Sequence, residues 1–258
     1  MFAPRRIEYP EKDYQEYTDR KKLHDKEEEM QSMSMNRYEE AYEKIRLARE
    51  AVAVGNTASA LSYIEEALVL DPGNPDAWIE KMRAAGGTVE NPACGEVYTA
   101  GQNAIRCAGE DEAEIERLVY ALYLVRAQKL MGIAEEKLAA LKAKQETSRE
   151  EAEEGNEAEV SPECVSAEET QSGEVSLDEI KTIDALASTH ALSLILAIPG
   201  EKMKAYPELV SVVGGCVSEY EKVSEMLTAC LDTCGFELTE RAKETRARVL
   251  TKMRAKMI

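Results

Sequence analysis

Residues 60–78, ALSYIEEALVLDPGNPDAW, constrain the fold more than any other stretch of the chain. Ala60, Leu61, Ile64, Ala67, Leu68 and Leu70 recur at three- and four-residue spacing, which places them on one side of a helix. Pro72 lacks the amide hydrogen needed to continue that helix. Asn74 is a good N-cap and Pro75 suits a first helical position, so a second helix starts almost at once. A tight helical hairpin satisfies both halves of the pattern.

The same punctuation occurs upstream. Tyr38, Ala41, Tyr42, Ile45, Ala48 and Val52 form an earlier apolar face that ends at Gly55-Asn56, both tolerant of the left-handed conformation, after which Thr57 can cap the next helix. Downstream, helices are expected over residues 76–85, 94–108, 110–144, 177–198, 206–233 and 238–257, the last with Thr239 as its cap. In 110–144 the apolar side carries Ile115, Leu118, Leu122, Val125, Leu130, Ile133, Leu138 and Leu141, and Gly132 either divides the helix or does not. Period-two alternation scarcely occurs, and helix-favouring Ala, Leu, Glu and Lys recur throughout. The expected fold class is all-α.

Charge divides the chain further. Of a net charge of −18, residues 145–179 hold thirteen acidic residues against one basic, whereas residues 239–258 hold seven Lys/Arg against two Glu. The acidic tract has no aromatic residue and too little apolar surface to offset its ordering entropy. The expected organisation is a charged, partly disordered arm over 1–35, in which residues 19–35 can form a helix with a thin apolar stripe, a helical array over 36–144, an acidic disordered linker over 145–176 and a helical region over 177–258 packed on the array.

Global acidity disfavours nucleic-acid binding, which needs Lys and Arg against phosphates. The most apolar run, residues 183–198, is sixteen residues long and contains Asp184 and His190, short of the ~20 apolar residues of a membrane span. The first residues show no apolar leader segment, and six scattered cysteines form no disulfide framework. These features give the expectation of a cytoplasmic chain.

No catalytic, cofactor or metal residues are expected. Cys230 and Cys234 lie one turn apart, but a structural zinc needs four ligands and the only histidines, His24 and His190, stand alone. The glycine pairs in VVGGC and AAGG lack the strand-to-helix context and lysine of a phosphate loop. The basic C-terminal helix, with Ala242, Val249, Met253 and Met257 along one side, reads as a packing helix with a solvated basic face.

Residues 41–74 resemble a tetratricopeptide repeat, a 34-residue helix-turn-helix unit, through Ala48, Gly55-Asn56, Ala60, Ile64, Ala67-Leu68, Leu70 and Asp71-Pro72. Trp78, Met82 and Ala85 continue the period, the last two thirty-four residues after Ala48 and Ala51. Ala104-Ile105 and Cys107 come thirty-seven residues after their counterparts, so the second unit, to about residue 108, is degenerate, with an insertion near Gly86-Gly87. The resemblance implies a helical solenoid whose groove holds a peptide or another protein. On that groove it places Arg46, Arg49 and Arg83, suited to carboxylates, with Tyr42 and Ile79 beside them. Ile45 and Glu80 stand where chaperone-binding members need basic or amide residues, a departure from that role. The implied function is a non-catalytic scaffold or adaptor for a protein or peptide. The alternative is a charge-gated regulator whose acidic loop masks a basic surface for nucleic acid or anionic membrane.

Overall fold

The computed structural model describes residues 11–154, 176–233 and 240–257. They are helical, with no strand among them. Four helices form the first half: α1 (Glu11–Ala53), α2 (Thr57–Leu70), α3 (Pro75–Ala84) and α4 (Cys94–Cys107). A single 3-10 turn leads into α5 (Glu112–Glu154), followed by α6 (Leu177–Ala185), a π-helical turn (Leu186–Ala191) and α7 (Leu192–Leu196). The chain ends with α8 (Gly200–Ala205), α9 (Pro207–Thr233) and α10 (Glu240–Ala255).

The turns follow their local chemistry. Gly55 takes a φ of +76°, the left-handed conformation that ends α1. The cap of α2 is Asn56, not Thr57: its side chain accepts from the Ser59 amide at 3.1 Å. Asparagine's carbonyl reaches this donor one residue earlier than the sequence spacing suggests. Asn74 caps α3 as expected, accepting from the Asp76 and Ala77 amides, with Pro75 in the first turn. The expected cap at Thr239 lies outside the described residues.

Helix α1 packs on α2 and α3, α2 on α3, and α3 on α4. Ala48, Ala51, Ala60, Ile64 and Ala84 meet with no polar group between them, alanines allowing the close crossing. The helix expected to begin near Asn36 already runs from Glu11, about 65 Å in all, so the described part of the charged arm is helical. Glu, Lys, Gln and Met carry it by intrinsic propensity, since the described side chains from 20 to 40 are all exposed. The helix expected to stop near 144 likewise continues to Glu154, through residues assigned to a loop, while 155–175 lie outside the described residues. Its last turns are built from Lys, Gln, Glu, Arg and Ala, good helix formers that need no core. Gly132 does not divide it.

Helix α5 contacts α3, α4, α6, the π turn, α7 and α9. Two adjacent rows are buried on it, Ile115-Val119-Tyr123-Ala127-Leu130-Ala134-Leu138-Leu141 and Glu116-Tyr120-Leu124-Met131. Ile115, Leu130, Leu138 and Leu141 of the expected stripe lie in the first row, whereas Leu118, Leu122 and Ile133 are half-buried and Val125 is exposed. Alanine and tyrosine occupy the centre, alanine because neighbours approach closely, tyrosine because its hydroxyl finds partners. Tyr123 donates to Tyr98 O at 2.9 Å, and Arg126 donates to Gly86 O and Pro92 O, fastening the connection between α3 and α4.

The buried carboxylate of Glu116 ties α5 to the C-terminal part. It accepts from Tyr120 Oη at 2.9 Å, Lys202 Nζ at 2.8 Å and Tyr206 Oη at 2.9 Å. Burial alone would raise its pKa, but these hydrogen bonds outweigh burial and hold it below the ordinary carboxylate value. A depressed folded-state pKa contributes stability at neutral pH that disappears as pH falls through the unfolded value, about 4.3, toward the folded one. Glu116→Gln is therefore expected to be less stable at pH 7 and to lose less further stability below pH 4 than the parent, as measured by urea unfolding across pH.

Gly101 on α4 faces α5 at close range. A Cβ there would sit 2.3 Å from Tyr123 Oη and 2.9 Å from Val119 Cγ1. Gly101→Ala is expected to cost about 1–3 kcal/mol by overpacking. Combining it with Tyr123→Phe should recover part of that loss relative to the sum of the single changes, checked by a double-mutant cycle in chemical denaturation.

Candidate functional site

Residues 35, 38, 42, 46 and 49 follow three- and four-residue spacing and so line one side of α1. The first three form an uncovered apolar row: Met35 is 65% exposed, Tyr38 51% and Tyr42 58%. Tyr38 and Tyr42 are thus absent from the buried face, which Ala41, Ile45 and Ala48 supply instead. Periodicity could not separate the two, because tyrosines and alanines interleave at compatible spacing. Small residues seat α1 on α2; the large ones stay outside.

Beyond Tyr42 the row becomes ionic. Arg46 holds the Glu43 carboxylate with two nitrogens, at 2.9 Å and 2.6 Å, and also pairs with Glu50. Arg49 reaches across to α3, where its Nε donates to Glu80 Oε1 at 2.7 Å and its guanidinium lies 3.5 Å from Asp76. Arg83 donates to the same Glu80 oxygen at 2.9 Å. Glu80 is 1% exposed, and these two arginines are the cations that pair with it.

Tyr42, Arg46, Arg49 and Arg83 therefore share a neighbourhood, but Ile79 does not join them: it is buried, in the core with Met82 and Val97. Three arginines face four carboxylates here, Glu43, Glu50, Asp76 and Glu80. The row is electrically satisfied from within and differs from the open, carboxylate-seeking face that the sequence suggests. Met35 adds to the surface expected from the sequence, and its signal there is modest: a methionine three and seven residues before the two tyrosines of the row.

The basic C-terminal helix is also occupied from within. Arg246 is buried and donates to Thr228 Oγ1 at 2.9 Å; Arg248 pairs with Glu244 and Arg254 with Glu221. Lys256 donates to the carbonyls of Leu196 and Ile198 at the end of α7. Val249 and Met253 are buried beneath. Among the described residues, no helix is long and apolar enough to cross a membrane.

His190 lies half-buried in the π turn, where its carbonyl accepts from Ser193 Oγ at 2.7 Å. Cys216 is buried, and burial lifts its thiol to about 12, which leaves it un-ionised at neutral pH. Cys234 lies outside the described residues.

No protein-family model, curated protein or solved structure matches the chain.

Reversing Arg49 and Arg83 to Glu would place three carboxylates where one is now buried. Arg49→Glu/Arg83→Glu is expected to destabilise the α1–α3 joint by about 3–5 kcal/mol, the scale of breaking a buried pair. Restoring a cation by Glu80→Lys in the same chain should recover part of the loss, as read by thermal unfolding.

Proposed function

We propose that this protein is a non-catalytic adaptor that docks a protein or peptide on the outer side of α1. The carrying observation is the uncovered row of Met35, Tyr38 and Tyr42, which ends at a fully paired ionic cluster. Aromatic and methionine side chains contribute a large contact area with few rotamers to freeze, and they are enriched where proteins meet. The arginines have a different task on this reading. Arg49 joins α1 to α3, Arg46 and Arg83 pair within their own helices, and the apolar side chains meet the partner.

A tetratricopeptide-like arrangement of the hairpins agrees with this assignment. In such arrays the first helix of each hairpin lines the binding side. Here α1 packs on α3 and α3 on α5, with α2 against both α1 and α3. The departure at Ile45 and Glu80 also fits: a buried, doubly paired Glu80 cannot take part in a clamp for a C-terminal carboxylate. The charge-gated alternative has less to draw on. Arg246 is buried, Lys256 is held by backbone carbonyls, and the exposed Arg248 and Arg254 are paired with Glu244 and Glu221.

The test uses side-chain replacements that do not touch the core. With a photo-crosslinking phenylalanine analogue at residue 42, and separately at 38, crosslinks to a discrete partner are expected from cell extract. A probe at Lys129, exposed on α5, should give none. Tyr42→Glu should lower recovery of that partner at least about tenfold while changing stability by no more than about 0.5 kcal/mol. Undiminished recovery from the Tyr38→Glu/Tyr42→Glu chain would remove this surface from consideration.

A further inference from the structure

A second surface lies away from the α1 row. Helices α2, α3 and α4 enclose an open cleft of about 450 Å³, within the range of small-ligand sites. Leu61 and Glu65 form one wall; Gly95, Glu96, Thr99 and Asn103 form the other; Trp78 and Lys81 lie between them. The spacing explains the arrangement. Leu61 and Glu65 are one turn apart on α2, and Gly95, Thr99 and Asn103 are successive turns of α4.

Three features of this cleft go together. Glu65 and Glu96 are exposed, stand on opposite walls, and have no ion-pair or hydrogen-bond partner among the described residues. That contrasts with Glu80 and Glu116, whose cations are built in. The Trp78 ring is fixed by its Nε1 donating to Pro72 O at 3.0 Å, so its face is presented at a set angle. A cation already uses that face: Lys81 Nζ sits 5.7 Å from the ring centroid. The cleft thus has an aromatic floor that accepts positive charge, and two unpaired carboxylates on its walls.

We propose that this cleft binds an arginine side chain of a peptide partner, which displaces Lys81 from Trp78 and pairs with Glu65 and Glu96. Arginine suits the site better than lysine. A planar guanidinium stacks on indole and presents several N–H groups around its edge, so it can meet carboxylates from two walls while lying on the ring. Displacing Lys81 exchanges one cation for another on the aromatic face, and the freed ammonium gains full hydration. The cleft has free space at Gly95, where a Cβ would meet nothing within 4 Å.

The chain holds one tryptophan, so Trp78 fluorescence reports occupancy of the cleft directly. The probes are acetyl-Gly-Arg-Gly-amide and the same peptide with citrulline, which keeps the shape and loses the charge. A saturable change is expected with the arginine peptide, at least about fivefold weaker with citrulline, the scale of one exposed cation–π or charged contact. Glu65→Gln/Glu96→Gln and Gly95→Phe should each weaken binding by a similar factor. Lys81→Gln should tighten it, because it removes the resident competitor. Glu114→Gln/Glu136→Gln removes the same charge from exposed positions on α5 and should change nothing.

Equal loss with that control pair would mean general attraction to an acidic chain and would overturn the proposal. So would no saturable change up to millimolar peptide, equal binding of citrulline, or weaker binding with Lys81→Gln. Tyr42→Glu should leave the cleft's response intact, so this experiment and the test of the α1 row can fail independently.

Discussion

Helix α5 buries about half of its circumference, and α3, α4, α6, α7 and α9 contact it directly. A helix that faces one neighbour needs a single apolar stripe; one that faces neighbours on two sides needs two rows, and residues that can serve both. This is why its centre is made of Val119, Tyr120, Tyr123, Leu124 and Ala127 and not of leucines alone. The tyrosines fill space between helices and direct their hydroxyls to Tyr98 O and to Glu116. Glu116 then draws in Lys202 and Tyr206, so the start of α9 is fixed by a charge-assisted network as well as by apolar contact. Its partners outweigh the cost of burial, so the carboxylate contributes stability at neutral pH as well as geometry.

How much of this was legible in the sequence depended on whether local chemistry or azimuth decided the outcome. Turns were readable because Gly55, Pro72 and Pro75 act through their own backbone and Asn74 through a short side chain that reaches the next amides: the hairpin of α1 and α2 and the start of α3 appear where expected. The all-helical class was readable for the same reason. Which side of a long helix faces inward was less so. On α5 the aliphatic positions Leu118, Leu122 and Val125 pointed to a face that is only half-buried or exposed, because packing between two neighbours selected alanine and tyrosine. On α1 the tyrosines suggested core and are outside. Helix length was also underestimated at both long helices, where propensity alone extends them past the last buried residue.

The candidate surface was only partly legible, for an electrostatic reason. Arg46, Arg49 and Arg83 read as free cations because a sequence does not reveal which acidic residues lie opposite. In a chain of net charge −18, cations are scarce and tend to be claimed by the nearest buried or half-buried carboxylate. Glu80 claims two of them, Glu43 and Glu50 share a third, and Glu221 claims Arg254 on α10. Arg49 and Arg254 thereby join helices, while Arg46 and Arg83 pair within their own. Two surfaces lie apart from these pairs: the methionine-tyrosine row on α1, and the two unpaired glutamates beside Trp78.

Both surfaces converge on α3, a helix of ten residues. Asp76, Glu80 and Arg83 follow the helical repeat along the side toward α1, while Trp78 and Lys81 lie on the opposite side, toward the cleft. Ile79 and Met82 hold the helix to the core between them. So short a helix has little stability of its own and owes its position to its ends and its packing. Asn74, itself buried, satisfies two amides at the start, Trp78 reaches back to Pro72 O, and Arg126 grips the connection that follows at Gly86 and Pro92. From the side away from the cleft, Glu80 pairs across to Arg49 on α1, so the short helix that carries Trp78 is held there as well as at its ends.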